Sequence, residues 1–267
     1  MRERFAFPGR VVVITGASGG IGGALAREFA KRGARVALLD RDPAPAEQLA
    51  ATLPDALALG CDVTDTAACR RAVENVAARF GGIDVLVNNA GITHFSSGAE
   101  TDLTVLRRVM DVNFFGAAAM TRASLPSLLE RRGAIVAISS VAGFAPLVDR
   151  CGYAASKHAM HGYFGTLRAE LAPRGVRVTM VCPTFTRTGI DRAALDGAGN
   201  RSTRAWSTTG RIATTEEVAR AVVRGVERGE RTVFPSRLGR AAWYVSRFAP
   251  ALYDRLMTRN VRSAPGA

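Results

Sequence analysis

The sequence predicts an α/β fold in which a parallel, seven-stranded sheet is doubly wound, with helices on both faces. Three observations carry that expectation. Short β-branched runs alternate with amphipathic helical stretches over the first 235 residues, a rhythm that forces parallel strands and crossover helices. The first such run passes into its helix through a glycine-rich turn. Polar residues, Asp40, Asp62 and Asn88 among them, stand just past successive strand ends, where open sheets of this kind bind ligands.

Residues 10–15, Arg-Val-Val-Val-Ile-Thr, form the first expected strand, and an amphipathic helix follows over 21–32. Between them, Gly16, Gly20 and Gly22 space the turn that also carries Ser18 and Ile21. Glycines let backbone N–H groups approach a pyrophosphate, and the helix N-terminus behind them adds partial positive charge. The second strand, 35–39, ends at Asp40. A carboxylate there accepts from ribose hydroxyls and repels a 2′-phosphate, which favours NAD. Arg41, next in the chain, can instead hold that phosphate, so NADP remains possible.

A third strand, 56–61, runs into Asp62 and Val63, and a helix is expected over 65–80. The fourth, 83–87, ends in Asn88-Asn-Ala-Gly91. Asp62, Val63 and Asn88 are therefore placed at the cofactor. A long helical pattern over 102–130 breaks near Asp111-Val-Asn113, and the next strand, 134–138, closes on Ser139-Ser140.

Tyr153 and Lys157 lie four apart at the start of the next helical stretch, so their side chains share one face. A free phenol titrates near pH 10, and a cation within about 4–6 Å favours its ionised form. Tyr153 is thus a candidate general acid/base. Lysine occurs only at Lys31 and Lys157 among 36 basic residues. A chain that elsewhere uses arginine keeps a compact ammonium here, and the two cations are not interchangeable.

Taken together, Thr15-Gly-x-x-x-Gly-x-Gly22, Asn88-Asn-Ala-Gly91, Asn113, Ser140 and Tyr153-x-x-x-Lys157 resemble the short-chain dehydrogenase/reductase family over roughly residues 8–235. The resemblance implies a Rossmann-type fold and hydride transfer between a nicotinamide and a secondary alcohol or carbonyl. It further implies that Ser140 holds the substrate oxygen and Tyr153 exchanges its proton. Lys157 would lower the tyrosine pKa and bind the nicotinamide ribose, and Asn113 would hold a relay water. Pro183, Thr186 and Thr188 fall where the family contacts the nicotinamide amide and pyrophosphate. One departure is Thr184, where the family usually has glycine after proline.

The dinucleotide-binding and catalytic domain is expected over 1–235, with a substrate lid at about 184–213 and a C-terminal extension at 236–267. Phe95, Phe144, Phe185 and Trp206 are candidates to line an apolar substrate pocket, while His94 is expected to face solvent. A helix over 214–228 begins Thr-Thr-Glu-Glu, a good cap, and residues 232–234 complete the seventh strand. From Arg231 onward, aromatics and leucines mix with arginines at 231, 237, 240, 247, 255, 259 and 262 against Asp254 alone. Such a basic amphipathic helix can lie on an anionic membrane or pack on a partner subunit.

Net charge is +13 and the pI about 10.9; much of this is expected on solvated helix faces. Four scattered cysteines without a Cys-x-x-Cys spacing point to reduced thiols, a cytoplasmic protein and no metal site. No signal-like leader or 20-residue apolar span is visible. The leading expectation is an NAD(P)-dependent oxidoreductase on a hydrophobic substrate, and the family resemblance implies a dimer or tetramer through the helices at 102–130 and 153–171. The rivals are an NADPH-dependent 3-oxoacyl thioester reductase and a non-catalytic nucleotide-binding regulator; no nucleic-acid motif is present.

Overall fold

The computed structural model describes residues 4–204 and 211–262. Seven parallel strands form one sheet in the order β3-β2-β1-β4-β5-β6-β7: β1 (Val11–Thr15), β2 (Arg35–Asp40), β3 (Ala56–Gly60), β4 (Val85–Asn88), β5 (Ala134–Ile138), β6 (Arg177–Val181) and β7 (Thr232–Val233). The order reverses between β1 and β4, which opens a crevice at their carboxyl ends.

Period-two alternation sends side chains to two separate cores. Val12, Ile14, Val36 and Leu38 pack with Leu25, Phe29 and Val222 on one face. That layer is built by α1 (Gly20–Lys31) and α7 (Thr215–Arg228). Val11, Val13, Leu39 and Leu86 pack with Val76, Met120 and Phe164 on the other. Their helices are α3 (Thr66–Phe80), α5 (Gly116–Glu130) and α6 (Cys151–Leu171), while α2 (Pro43–Ala50) and α4 (Leu103–Met110) complete the series before them.

The expected break in the long helix is a π-helical segment, Asp111–Phe115, between α4 and α5. The cap expected for α7 is a full capping box: Thr214 accepts from the Glu217 N–H at 3.2 Å, and Glu217 accepts from the Thr214 N–H at 3.0 Å. Strand ends differ from the sequence expectation by one residue at Arg10, Asp40, Cys61 and Phe234, and β4 begins two residues later, at Val85.

Two helices follow the sheet, α8 (Arg237–Phe248) and α9 (Pro250–Arg262). They do not stand off from it. Trp243 packs edge-on against Phe144 at 4.8 Å between centroids and lies over His161 and Phe234. Among the described residues no helix is long and apolar enough to cross a membrane.

Candidate active site

A cavity of about 770 Å³ runs from the glycine turn across the carboxyl ends of the strands to the C-terminal helices. At one end the turn after β1 is shaped by Gly16 (φ 63°) and Gly20 (φ 54°), left-handed positions that favour glycine. A Cβ on Gly16 would stand 2.9 Å from the Ala90 backbone, and one on Gly22 would collide with the Gly16 carbonyl oxygen. Gly22 therefore packs the turn rather than lining the cavity. Helix α1 is capped at Gly19 without a side-chain hydrogen bond and has no acid in its first turn, so its leading N–H groups are left for a ligand. Ser18 and Ile21 line this end.

Asp40, Arg41, Asp62 and Val63 surround the same end. The Asp40 carboxylate accepts from the Ser18 N–H at 3.0 Å, tying β2 to the turn. Asp62 accepts from the Thr64 N–H and hydroxyl at 2.9 and 2.7 Å. Those bonds hold its carboxyl below the usual range, with a smaller push upward from burial.

Asn88 does not line the cavity. Its amide is buried and donates to the Thr121 hydroxyl at 2.9 Å, because at the strand end it faces α5. Asn89 is the one turned to the site, donating to the Thr15 and Gly16 carbonyls at 2.9 Å each.

At the other end Ser140, Tyr153 and Lys157 meet. Ser140 caps a short 3₁₀ turn, accepting from the Ala142 N–H at 3.1 Å, and lies beside the Tyr153 phenol, whose pKa it pulls down. Lys157 is buried, donates to the Ile138 carbonyl at 2.9 Å, and sits 5.6 Å from the Tyr153 ring centroid. Burial lowers its pKa to about 8, against a small opposing pull from Cys182.

The expected downward shift of the tyrosine is not found. Burial pushes the phenol above 10, while Ser140 and then Arg150 pull it back. Arg150 is the cation that opposes the burial, while the Lys157 ammonium is held at the Ile138 carbonyl. Sequence reasoning missed this arginine. It lies three residues before Tyr153 at the N-terminus of α6, lines the cavity, and stacks over Phe95 at 4.3 Å. Burial brings its own pKa down to about 10.

Asn113, in the π segment, is fully buried. Its amide accepts from the Ile92 N–H at 2.8 Å and donates to the Ile92 carbonyl and the Ser156 hydroxyl at 3.0 and 2.9 Å. It pins the loop after β4 to α6, close beneath Gly91 and Lys157.

His94 does not face solvent. Its Nε2 accepts from the Gly152 N–H at 2.9 Å, leaving Nδ1 to donate to the Ser96 hydroxyl at 3.0 Å. Helix α6 has no side-chain cap at Arg150; the imidazole supplies one from across the cavity wall. Burial, followed by Arg150, keeps it neutral by lowering its pKa.

Pro183, Thr184, Phe185, Thr186 and Thr188 form the wall between the two ends. Thr184 is not at positive φ, so its β-branch strains nothing. Its hydroxyl lies 3.2 Å from that of Ser236. Gly20 packs against Thr188, where a Cβ would stand 3.1 Å from the carbonyl oxygen.

Of the four aromatics expected at the substrate, Phe185 lines the cavity. Phe95 is buried under Arg150, and Phe144 packs with Trp243; neither reaches the cavity. Trp206 lies outside the described residues, as does part of the expected lid. The apolar wall comes instead from α8 and α9, through Leu238, Ala241, Ala242, Val245, Tyr253, Leu256 and Met257. The signal was present in the sequence as an i, i+3, i+4, i+7 apolar stripe from Leu238 to Val245.

The family model for short chain dehydrogenases matches residues 10–198. Dehydrogenase/reductase SDR family protein 7-like from Anopheles gambiae is 36% identical over 94% of the chain and 83% of its own length. 11-beta-hydroxysteroid dehydrogenase A from Sesamum indicum is 36% identical over 97% of the chain and 77% of its own length. A short-chain dehydrogenase/reductase from Burkholderia phymatum, crystallised with NAD, superposes with a TM-score of 0.83 at 26% identity, covering 93% of this chain and 96% of that one.

Proposed function

Because the chain belongs to the short-chain dehydrogenase/reductase family, NAD(P)-dependent oxidoreductases acting on CH–OH groups, we propose that its substrate is a hydrophobic secondary alcohol or carbonyl and that Tyr153 is the general acid/base. The observation that carries this reading is that Ser140 and Tyr153 line the same cavity as the uncapped first turn of α1.

The donor set fits a nicotinamide dinucleotide. The α1 N–H groups suit its diphosphate, and Asp40 suits unmodified ribose hydroxyls, which favours NAD. Bound there, the dinucleotide supplies or accepts the hydride. In the reducing direction Tyr153 donates its proton to the carbonyl oxygen, and Ser140 donates a hydrogen bond to the same oxygen as negative charge develops. In the oxidising direction the phenol oxygen takes the alcohol proton. Lys157, held by Ile138, keeps a positive charge beneath the ring and would bind the ribose hydroxyls.

The apolar wall from α8 and α9 excludes water and favours a hydrophobic substrate. The sesame relative's name puts steroid carbonyls in the first panel, alongside aliphatic carbonyls and acyl thioesters, each with NADH and NADPH. On the best substrate Tyr153→Phe should lower turnover by about 10²–10⁴-fold with the cofactor Kd unchanged. Turnover retained in that variant removes the role given to the phenol.

A further inference from the structure

The outer surface of the two C-terminal helices is unlike the rest of the protein. Of eight large apolar side chains that stand exposed among the described residues, five belong to this hairpin: Leu238, Tyr244, Phe248, Leu252 and Leu256. Phe248 is the most open of them, at 79%. Around them Arg237, Arg240 and Arg247 are exposed as well.

Helical geometry makes these one feature. At 100° per residue, positions 237, 240, 244, 247 and 248 fall within one narrow arc of α8. That arc carries three arginines and the stacked pair Tyr244–Phe248, whose rings lie 6.4 Å apart at 14°. The adjoining arc, 238, 241, 242 and 245, is the cavity wall. Leu238 and Leu256 belong to both surfaces, lining the cavity while about half exposed. The exposed apolar ridge therefore continues into the mouth of the substrate cavity.

We propose that this ridge docks on an anionic lipid surface, so that an apolar substrate passes between bilayer and cavity along Leu238 and Leu256. Charge selects the occupant. A second copy meeting this face by a two-fold would set the same arginines against each other, and each chain already carries +13. An anionic bilayer instead takes the arginines at its headgroups and the Tyr244, Phe248 and Leu252 side chains at its acyl boundary. The continuity with the cavity favours lipid over an acidic protein, which would cover the mouth. Only the substrate-passage clause rests on the oxidoreductase reading above.

The test is flotation of the full chain with phosphatidylcholine vesicles, with and without phosphatidylserine, in the absence of cofactor and substrate. Binding should require the anionic lipid and weaken as salt rises. Arg237→Gln with Arg240→Gln should weaken it roughly fivefold per arginine, and Phe248→Ser with Leu252→Ser by at least about tenfold. None of the four lines the cavity, so melting temperature and turnover of a water-soluble carbonyl should hold in both pairs.

Three results overturn the proposal: wild-type protein that does not float with anionic vesicles, binding that neither pair weakens, or a concentration-dependent dimer that Phe248→Ser with Leu252→Ser dissolves. Because flotation needs no turnover, an inactive protein that still binds lipid sinks only the oxidoreductase reading. An active one that stays in the aqueous phase sinks only the docking.

Discussion

Trp243→Ala tests whether the C-terminal helices belong to the catalytic unit. The indole contacts Phe144 at 4.8 Å, Phe234 at 5.8 Å and His161 at 6.2 Å, joining α8 to the loop after β5, to the end of β7 and to α6. Truncating a fully buried tryptophan destabilises by about 3–5 kcal/mol. Trp243 is part-exposed, so about 2–4 kcal/mol is expected. For a domain of this size that corresponds to a fall of about 5–15 °C in melting temperature, read by calorimetry as a shift of the main transition. Helix α8 also presents Ala241, Ala242 and Val245 to the cavity, so KM for a hydrophobic carbonyl should rise while the cofactor Kd stays fixed. An unchanged main transition, or a small separate one appearing ahead of it, would refute the reasoning, because the helices would then be a detachable extension.

Three further outcomes follow from the site. Arg150→Gln removes the cation that draws the Tyr153 pKa down, so the rising limb of the pH profile for alcohol oxidation should move to higher pH and Arg150→Lys should restore it; a profile that does not move denies the arginine this role. Asp40→Ala should raise the Kd for NAD more than for NADP, measured by titration; equal losses would shift the discrimination to Arg41. His161 has its pKa lowered from 6.5 to about 4, chiefly by burial and then by His158, Arg168 and Lys157. The unfolded chain therefore protonates first: this contribution to stability is intact above pH 6.5 and is lost as pH falls to about 4, by no more than about 3 kcal/mol. In His161→Phe the melting temperature should depend less on pH across that window, and an unchanged slope would place the titration elsewhere.

What the sequence made legible were features with local causes. A glycine turn between a strand and a helix, an acid at the next strand end, and a tyrosine and lysine four apart each need only a few neighbouring residues to make sense. The parallel, doubly wound sheet of seven strands follows from the same alternation. Illegible were features decided by a partner far along the chain. Asn88 and Asn89 are chemically identical, and only the position of Thr121 on α5 decides which of them turns inward. His94 looked like a loop residue because its partner, the Gly152 N–H, lies 58 positions away. The direction of the tyrosine shift has a related cause: the helical spacing shows that a cation is near, but the burial that outweighs it comes from other parts of the fold.

The C-terminal helices show where pattern reasoning stops. An amphipathic stripe establishes that a face will be covered without saying by what, and a basic stripe after the last strand was taken for an outward surface. The structure divides it: one arc of α8 closes the cavity, and its neighbour remains open to solvent. Thr184 points the same way. The family usually carries glycine at that position; here the threonine methyl packs against Gly239 in the first turn of α8, where an added Cβ would stand 3.1 Å away. The hydroxyl meets Ser236, which in turn accepts from the Gly239 N–H at 3.0 Å. The departure in the motif therefore ties the loop after β6 to the first turn of α8, the helix that carries Ala241, Ala242 and Val245 to the cavity.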